Sequence, residues 1–365
     1  MERKRILDFF LNTSIKDIAL KILDNQRINK KEIIRLYQSN NLFHLGLLAN
    51  FINNKKNKNK VYFRNNLNIN HTNICQLRCP ICAFSRDEKD EDAYCMTFEQ
   101  IQEIIIKGVE KGICEVHIVG GITDKYDISF FEKLFQWIKK SFPFLHIQAL
   151  TAVEYDYLSK KYNISLEKLF NMLKQSGLDG IPGGGAEIFD FSIRKKITPF
   201  KISGKRWLEI IEIAHSCGIK SNATMLYGHI ETFENRIDHL LLLRNLQDKT
   251  SGFMAFVPLA FHKENTEFEN LDINQSAFDD LLTIVMARII LDNFDHIKIL
   301  PNYFEKRFMS IMLNFGVSDI GATSLNEKIV KSANGKNWQM TKEDFVSLIK
   351  DSGKIPIEIN SSYIL

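Results

Sequence analysis

Residues 61–82, VYFRNNLNINHTNICQLRCPIC, join an extended segment to a loop that carries three cysteines. The first ten residues contain aromatic and β-branched side chains and predict a β-strand. Cys75, Cys79 and Cys82 follow within eight positions, in the spacing C-x3-C-x2-C. Zinc and most iron–sulfur sites use four protein ligands, so a triplet is either incomplete or keeps one position open.

The segments that follow alternate between short β-like runs and amphipathic helical patterns. The predicted strands are 61–70, 115–121, 146–152, 177–184, 220–228, 252–260, 296–302 and 317–323. Eight strands alternating with helices predict an α/β protein with a (β/α)8 TIM-type barrel, and a doubly wound sheet is the alternative. We expect a helical N-terminal extension over 1–60, the barrel over 61–325, and a short C-terminal extension over 326–365 that packs on the barrel.

Composition narrows the class of protein further. The chain has 365 residues, 45% hydrophobic residues and a formal net charge of +4, which argues only weakly for a polyanionic partner. We therefore expect neither nucleic acid nor membrane as a partner. Six cysteines and no secretory signal predict a cytoplasmic protein, in which a tight cysteine cluster more often binds metal than forms disulfides.

Glycine and polar residues collect at the carboxyl ends of the predicted strands, where barrels of this class build their sites. They are Gly120, Gly121, Thr151, Glu154, Gly183, Gly184, Gly185, Glu187, Tyr227, Gly228, His229, Glu231 and His262. A barrel would bring all of them to the same face as the cysteine loop. This arrangement predicts a single site built from several strands.

The cysteine triplet admits two interpretations. Three thiolates can hold three irons of a [4Fe–4S] cluster and leave the fourth iron open to another ligand. Alternatively, Cys95 completes a structural zinc site in a non-catalytic barrel. Cys114 and Cys217 lie in or beside helical patterns and are expected to be small core residues.

The cysteine motif after the first predicted strand resembles that of the radical S-adenosylmethionine superfamily. The resemblance implies a [4Fe–4S] cluster held by Cys75, Cys79 and Cys82, and S-adenosylmethionine bound at the open iron and cleaved to a 5′-deoxyadenosyl radical. The residue before the third cysteine is usually aromatic in that superfamily, whereas here it is Ile81.

Further residues match superfamily motifs by position. Gly120 and Gly121 resemble the glycine motif that receives the methionine amino group, and Glu154 is a candidate for the ribose hydroxyls. TMLYGHIET (224–232) resembles the motif around adenine, with Tyr227, Gly228 and Glu231. We expect Gly184 to allow close approach of backbone to the cofactor, with Glu187 as a hydrogen-bond partner.

Longer stretches, such as ALTAVEYDYLSK (149–160) and LNFGVSDIGAT (313–323), resemble the aminofutalosine synthase family of the futalosine route to menaquinone. This implies a transferase that adds the 5′-deoxyadenosyl radical to 3-[(1-carboxyvinyl)oxy]benzoate, with loss of a carboxyl group, to give 6-amino-6-deoxyfutalosine. The electron donor would be of the flavodoxin or ferredoxin type. The alternatives are cyclic dehypoxanthinylfutalosine synthase and a synthase of deazaflavin cofactors.

The implied substrate is a small aromatic dicarboxylate, so cationic and donor groups are expected around it. Arg194 is the candidate for a carboxylate. The candidates for substrate contact or acid–base chemistry are His117, Asn222, Thr224, His229 and His262, if the strand alternation holds.

Overall fold

The computed structural model describes residues 2–273, 276–323, 325–335, 340–360 and 363. Within these ranges the chain forms one sheet of ten parallel strands, joined by helices. The strands are β1 Lys60–Arg64, β2 Asn66–Ile69, β3 Glu115–Ile118, β4 His146–Ala149, β5 Gly180–Ile181, β6 Lys220–Tyr227, β7 Phe253–Ala260, β8 His296–Ile299, β9 Asp319–Ala322 and β10 Ile355–Glu358. All eight predicted strands are present.

The order of the strands is β10-β1-β9-β8-β7-β6-β5-β4-β3-β2. The two sides of this curled sheet meet because β1 and β2 are successive parts of one segment, interrupted at Asn65. A parallel bridge joins Leu67 to Leu325, and the Asn68 N–H donates to the Leu325 carbonyl at 2.8 Å. The strands thus form the predicted barrel of the α/β class, and the doubly wound alternative is wrong.

Helices surround the barrel. They are α1 Glu2–Asp8, α2 Lys16–Leu23, α3 Lys30–Gln38, α4 Leu42–Asn57, α5 Phe98–Glu110, α6 Ile128–Ser141, α7 Ala152–Lys161, α8 Leu166–Gln175, α9 Phe191–Ile197, α10 Gly204–Ser216, α11 Phe233–Thr250, α12 Ala277–Ile290, α13 Lys306–Met312, α14 Ile329–Ser332 and α15 Lys342–Asp351, with a 3₁₀ turn at Pro301–Tyr303. Among the described residues, none of the helices is both long and apolar enough to cross a bilayer.

Side chains alternate between the two faces of each strand, as the pleat requires. Val116 and Ile118 of β3, like Ile297 and Ile299 of β8, are fully buried in the hydrophobic layer between sheet and helices. The residues between them point into the barrel and are polar, such as His117 and Lys298. The interior of this barrel is therefore a polar cavity with an apolar outer wall.

The two ends of the chain pack against this framework. Tyr37 of α3 stacks on Phe233 of α11 with ring centroids 3.5 Å apart. At the other end β10, which was not predicted as a strand, pairs in parallel with β1. The division into extensions at residues 60 and 325 stays a prediction.

Side-chain caps fix the start of several helices of the barrel. Thr151 begins α7 with a capping box, in which its hydroxyl accepts from the Glu154 N–H and the Glu154 carboxylate accepts from the Thr151 N–H. Thr97 and Thr232 cap α5 and α11 in the same way. These caps hold the loops after the strands in place, because they satisfy backbone donors that the helix leaves free.

Candidate active site

A cavity of about 340 Å³ runs from the cysteine loop into the barrel interior. Its polar and cysteine lining comprises Arg64, Asn66, Asn68, Asn70, Cys75, Cys79, Cys82, Ser85, Glu115, His117, Gln148, Thr151, Glu154, Glu187, Lys201, Asn222, Thr224, Lys298, Asn302, Tyr303 and Glu327. Apolar side chains, among them Val257, Leu259 and Leu300, form the rest of the wall. The volume falls within the range of pockets that enclose small organic ligands.

The cysteine loop is held in place by backbone hydrogen bonds. The Cys75 N–H donates to the Arg86 carbonyl at 3.1 Å, and the Gln76 N–H donates to the Ile122 carbonyl at 2.8 Å. The Ile122 N–H in turn lies 3.4 Å from the Cys75 sulfur. All three cysteines are free thiols that face the same cavity. A backbone donor on a thiolate is an interaction that tunes sulfur-bound metal centres.

Gly120 and Gly121 are required by how closely the loop packs. A Cβ at Gly121 would lie 2.2 Å from the Ile74 carbonyl oxygen, and one at Gly120 would lie 2.6 Å from the His71 ring. The Gly121 N–H also donates to the Thr72 carbonyl at 3.0 Å. This glycine pair therefore lets the cysteine loop lie against the end of β3, and both glycines still line the cavity.

Glu154 lies at the cavity with its carboxylate almost fully buried. Oε2 accepts from the Thr151 N–H at 2.6 Å and Oε1 accepts from the Gly120 N–H at 3.3 Å. Burial raises the pKa of this carboxyl to about 7, although the two hydrogen bonds oppose the shift. Glu154 thus joins the glycine turn after β3 to the start of α7.

The glycine segment after β5 also approaches the cavity. Gly183 has φ +86°, and a Cβ there would lie 2.3 Å from the Asn222 carbonyl oxygen. Gly184 and Glu187 line the cavity, and Glu187 forms an ion pair of 2.7 Å with Lys201. Burial raises the pKa of the Cys79 thiol to about 11, and the charge of Lys201 opposes this shift. Lys201, which the sequence analysis did not single out, therefore lies close to the cysteines.

Arg194 does not lie among the residues that line the cavity, contrary to the prediction that it binds a substrate carboxylate. Its guanidinium donates to the carbonyls of Gly185 at 2.8 Å, Ala186 at 2.5 Å and Ile202 at 2.7 Å. These bonds use the planar array of donors that a carboxylate would need. Arg194 therefore holds the backbone of the glycine segment from outside the cavity.

The predicted residues after β6 also lie outside the cavity lining. Glu231 accepts from the backbone N–H groups of Gly228 at 2.6 Å and His229 at 2.9 Å, and from Arg236 at 2.7 Å. Burial alone would raise its pKa, but His229 and Arg236 hold it at about 2. The Tyr227 hydroxyl donates to Asp280 at 2.8 Å. This region is a self-contained network that supports the loop.

His262 lies outside the cavity lining too, with its ring 5.3 Å from the ring of Tyr303, which does line it. The other three polar candidates are placed as predicted, because His117, Asn222 and Thr224 point into the barrel. Asn222 donates to the Gln148 side-chain oxygen at 3.1 Å. Strand alternation applied to whole strands would have found Gln148, which the sequence analysis missed.

The donor set fits an iron–sulfur cluster better than a single zinc ion. Cys95 does not line the cavity, and its sulfur lies 3.1 Å from the Thr72 hydroxyl. Across the described ranges, no three or more histidine, cysteine or carboxylate side chains are gathered around one point as a single ion would need. Thiolates that each bind a different iron do not have to converge in this way.

Two family models match the chain. The radical SAM superfamily model matches residues 69–243, which include the cysteine loop and strands β3 to β6. The model of the CofH/MqnC C-terminal region matches residues 250–364. The superfamily implies a [4Fe–4S] cluster and S-adenosylmethionine.

Similar proteins of known function fall into three groups. Aminodeoxyfutalosine synthase of Thermus thermophilus is 36% identical over 95% of this chain and 94% of its own length. The 5-amino-6-(D-ribitylamino)uracil–L-tyrosine 4-hydroxyphenyl transferase of Methanothermobacter thermautotrophicus is 34% identical over 97% of this chain and 98% of its own length. Cyclic dehypoxanthine futalosine synthase of Streptomyces coelicolor is 33% identical over 92% of this chain and 85% of its own length.

A solved structure shares the fold. The [FeFe]-hydrogenase maturase HydG superposes with a TM-score of 0.74 over 99% of this chain and 80% of that chain, at 15% identity. The fold, the cysteine loop and the relatives that are similar over nearly the whole chain all agree. The chain is therefore an enzyme of the radical S-adenosylmethionine superfamily, in the family that contains aminodeoxyfutalosine synthase.

Proposed function

We propose that this enzyme transfers the 5′-deoxyadenosyl group of S-adenosylmethionine to 3-[(1-carboxyvinyl)oxy]benzoate and forms 6-amino-6-deoxyfutalosine. The observation that carries the proposal is that three free thiols of one loop face the same cavity as the polar barrel interior. A cofactor at the thiols and a polar substrate in the barrel would therefore share one enclosed space. The similarity to the Thermus enzyme over nearly the whole chain supports the particular reaction.

Cys75, Cys79 and Cys82 would hold the cluster, which supplies when bound the electron that cleaves S-adenosylmethionine. The Ile122 N–H at 3.4 Å from the Cys75 sulfur would stabilise that thiolate. Lys201 carries a positive charge close to Cys79 and Cys82. A flavodoxin- or ferredoxin-type protein would deliver the electron.

The residues around the thiols would orient S-adenosylmethionine. The backbone at Gly120 and Gly121 receives the methionine amino group, and the Glu154 carboxylate accepts from the ribose hydroxyls. Gly184 permits close approach of the ligand, and Glu187 positions Lys201 through their ion pair. Glu231 would act on the ligand only indirectly, because its carboxylate holds the backbone of Gly228 and His229 in place and does not face the cavity.

The barrel interior would hold the substrate and exclude water. In the proposed reaction the adenosyl radical adds to the vinyl carbon, and the aryl group then moves from the ether oxygen to the neighbouring carbon. The carboxyl group would leave as carbon dioxide or bicarbonate and one electron would be given back, so that the overall reaction needs no oxidant. Val257, Leu259 and Leu300 give the cavity an apolar wall that helps to exclude water from the site. His117 of β3 and the β6 residues Asn222 and Thr224 supply polar contacts.

The second candidate is cyclic dehypoxanthine futalosine synthase activity, which the Streptomyces relative favours at 33% identity. That reaction would use the same thiols and the same cavity. The two candidates differ in the fate of the adenosyl group, which stays in the product of the first reaction. In the second reaction the radical abstracts hydrogen and is released as 5′-deoxyadenosine.

The test is an assay of the enzyme purified and reconstituted with iron and sulfide under anaerobic conditions. Reductant, S-adenosylmethionine and 3-[(1-carboxyvinyl)oxy]benzoate are added, and products are followed by mass spectrometry. An adenosyl adduct of the substrate establishes the proposal. Absence of the adduct, together with 5′-deoxyadenosine formed only when dehypoxanthine futalosine is supplied, establishes the second candidate. A colourless, zinc-loaded, inert protein would contradict both.

A further inference from the structure

Lys298 points from β8 into the cavity and is 5% exposed. Its ammonium makes no hydrogen bond and no ion pair within 4 Å with any residue that the structure describes. Burial and the nearby charge of Arg64 lower the pKa of Lys298 to about 7. A buried lysine without a partner is unfavourable unless a ligand supplies the missing counter-charge.

Of the two neighbouring carboxylates, Asp319 is engaged elsewhere, and Glu115 makes no ion pair with Lys298 among the described residues although its Oε2 atom has no hydrogen bond. Asp319 accepts from Tyr363 at 2.6 Å, from Ser318 at 2.7 Å and from Arg64 at 3.4 Å, and His296 lies 3.0 Å from it. Glu115 has Arg64 at 3.9 Å as its nearest cation. Arg64 is therefore shared between two acids, and Lys201 is paired with Glu187, whereas Lys298 has no ion pair among the described residues that line the cavity.

Two other buried polar groups that line the cavity also have no hydrogen-bond partner among the described residues. The Gln148 side-chain nitrogen and the His117 Nε2 atom are buried without a hydrogen bond, and Gln148 is only 1% exposed. Asn222 bonds to the oxygen of the Gln148 amide, which orients its nitrogen as the free donor. Burial lowers the pKa of His117 to about 4, so this imidazole is neutral at pH 7. Unpaired buried donors of this kind are rare in folded proteins and point to a ligand.

We propose that Lys298, on the floor of the cavity, binds a carboxylate of the substrate, and that the Gln148 amide, which lines the same cavity from β4, donates a hydrogen bond to the substrate. Carboxylate oxygens match both donors, and an ammonium with a carboxylate forms one of the stronger hydrogen bonds in proteins. The identity of the substrate, an aromatic dicarboxylate, rests on the proposed function. The inference adds which residues anchor it, and it places the anchor on β4 and β8 rather than at Arg194.

The test measures binding of 3-[(1-carboxyvinyl)oxy]benzoate by calorimetry to the reconstituted enzyme with S-adenosylmethionine and without reductant, so that no turnover occurs. Lys298→Gln should weaken binding on the order of ten- to a hundredfold, the usual effect of losing a hydrogen bond between charged groups. Lys298→Arg should restore most of the affinity, because it keeps the charge. Lys205→Gln, at a side chain that is 86% exposed, is the matched control and should bind like the wild type.

The pH dependence gives a second readout. Above pH 7 the dissociation constant of the wild type should rise about tenfold per pH unit, because neutral Lys298 no longer attracts the carboxylate. The other charged or titratable groups that face Lys298 are Arg64, Glu115, His117 and Asp319. Lys298→Arg retains these groups and should make the affinity independent of pH between about 7 and 9, since arginine stays protonated.

The two proposals fail in different ways. Binding to Lys298→Gln within twofold of the wild type would overturn the carboxylate anchor, even if the adenosyl adduct forms. A wild-type enzyme that binds the compound with the expected loss in Lys298→Gln, yet makes no adduct, would contradict the proposed reaction and leave the anchor standing. Circular dichroism and iron content after reconstitution report whether Lys298→Gln folds and loads like the wild type, and a loss of either would mean a structural role and overturn the anchor.

Discussion

The two ends of the central cavity are built from different parts of the polypeptide. At the cysteine end, loops approach closely through glycine backbones, and the thiols of Cys75, Cys79 and Cys82 lie on one loop. At the floor, charged side chains such as Lys298 project from the strands themselves. The cysteine end is a contiguous motif that can be recognised in the sequence, whereas the floor is assembled from strands far apart in the chain.

The largest effect is expected for Cys75→Ala at the cysteine end. Loss of one thiolate should abolish the cluster and with it all cleavage of S-adenosylmethionine, because the remaining loop supplies only two ligands. Iron content, visible absorbance and 5′-deoxyadenosine formation measure this outcome. Cys217→Ala is the matched control, since Cys217 is the C-cap of α10, outside the cavity lining. Equal loss in both variants would contradict the assignment.

Gly121→Ala tests whether close backbone approach holds the cysteine end together. The new Cβ would meet the Ile74 carbonyl oxygen at 2.2 Å, so the cysteine loop must move. We expect a loss of about 3 kcal/mol in unfolding free energy, in the range of overpacked sites, and reduced iron uptake on reconstitution. Gly180→Ala, with its nearest atom at 3.3 Å, is the control and should change either quantity little. Normal iron uptake by Gly121→Ala would contradict the claim that the close contact between Gly121 and Ile74 holds the cysteine loop in place.

Glu154→Gln tests how the buried carboxyl at the cysteine end makes the stability of the protein depend on pH. Glu154 has a pKa of about 7 in the folded protein, above its usual value of 4.5, so the folded protein retains a proton that the unfolded chain releases. Its contribution to stability is therefore lost as pH rises from about 4.5 to about 7, by at most about 3 kcal/mol. Urea denaturation across this window should show the decline in the wild type and a smaller one in Glu154→Gln. Parallel curves would contradict the pKa assigned to Glu154.

The smallest effect is expected at the floor for Tyr363→Phe. The variant removes the 2.6 Å bond from Tyr363 to Asp319, which keeps Arg64, Ser318 and His296 as partners. We expect a loss of about 1 kcal/mol in unfolding free energy, because only one of several bonds is removed. Tyr162→Phe, at a ring that is 40% exposed, is the control for loss of a hydroxyl. Loss of cluster iron in Tyr363→Phe would show that the two ends are coupled.

The fold could be predicted because periodicity and turn residues repeat along the chain. Eight strands were placed correctly from apolar runs followed by helical patterns. The exception is β10, Ile355–Glu358, which contains Pro356 and is only partly buried. Proline and exposure are typical of edge strands, and they weaken the pattern by which a strand is recognised.

The site could be predicted where its residues belong to short motifs or, like His117, Asn222 and Thr224, where strand alternation shows which side chains point into the barrel. Cys75, Gly121 and Glu154 reach the cavity because short motifs keep their local geometry. Glu231 was predicted from a similar motif, but its carboxylate is consumed by backbone donors of its own loop. Lys298 was not predicted, because the candidates were sought mainly at the carboxyl ends of strands and Lys298 lies within β8.

The segment that contains β1 and β2 has a consequence for how the protein can change in length. Arg64, Asn66, Asn68 and Asn70 point into the barrel at every second position, across the interruption at Asn65. One residue inserted or deleted here would turn this whole set outward and displace the cysteine loop that follows. Residues 60–69, which form β1 and β2, also join the two sides of the barrel. The segment that contains β1 and β2 can therefore change in evolution by substitution but not by a change in length.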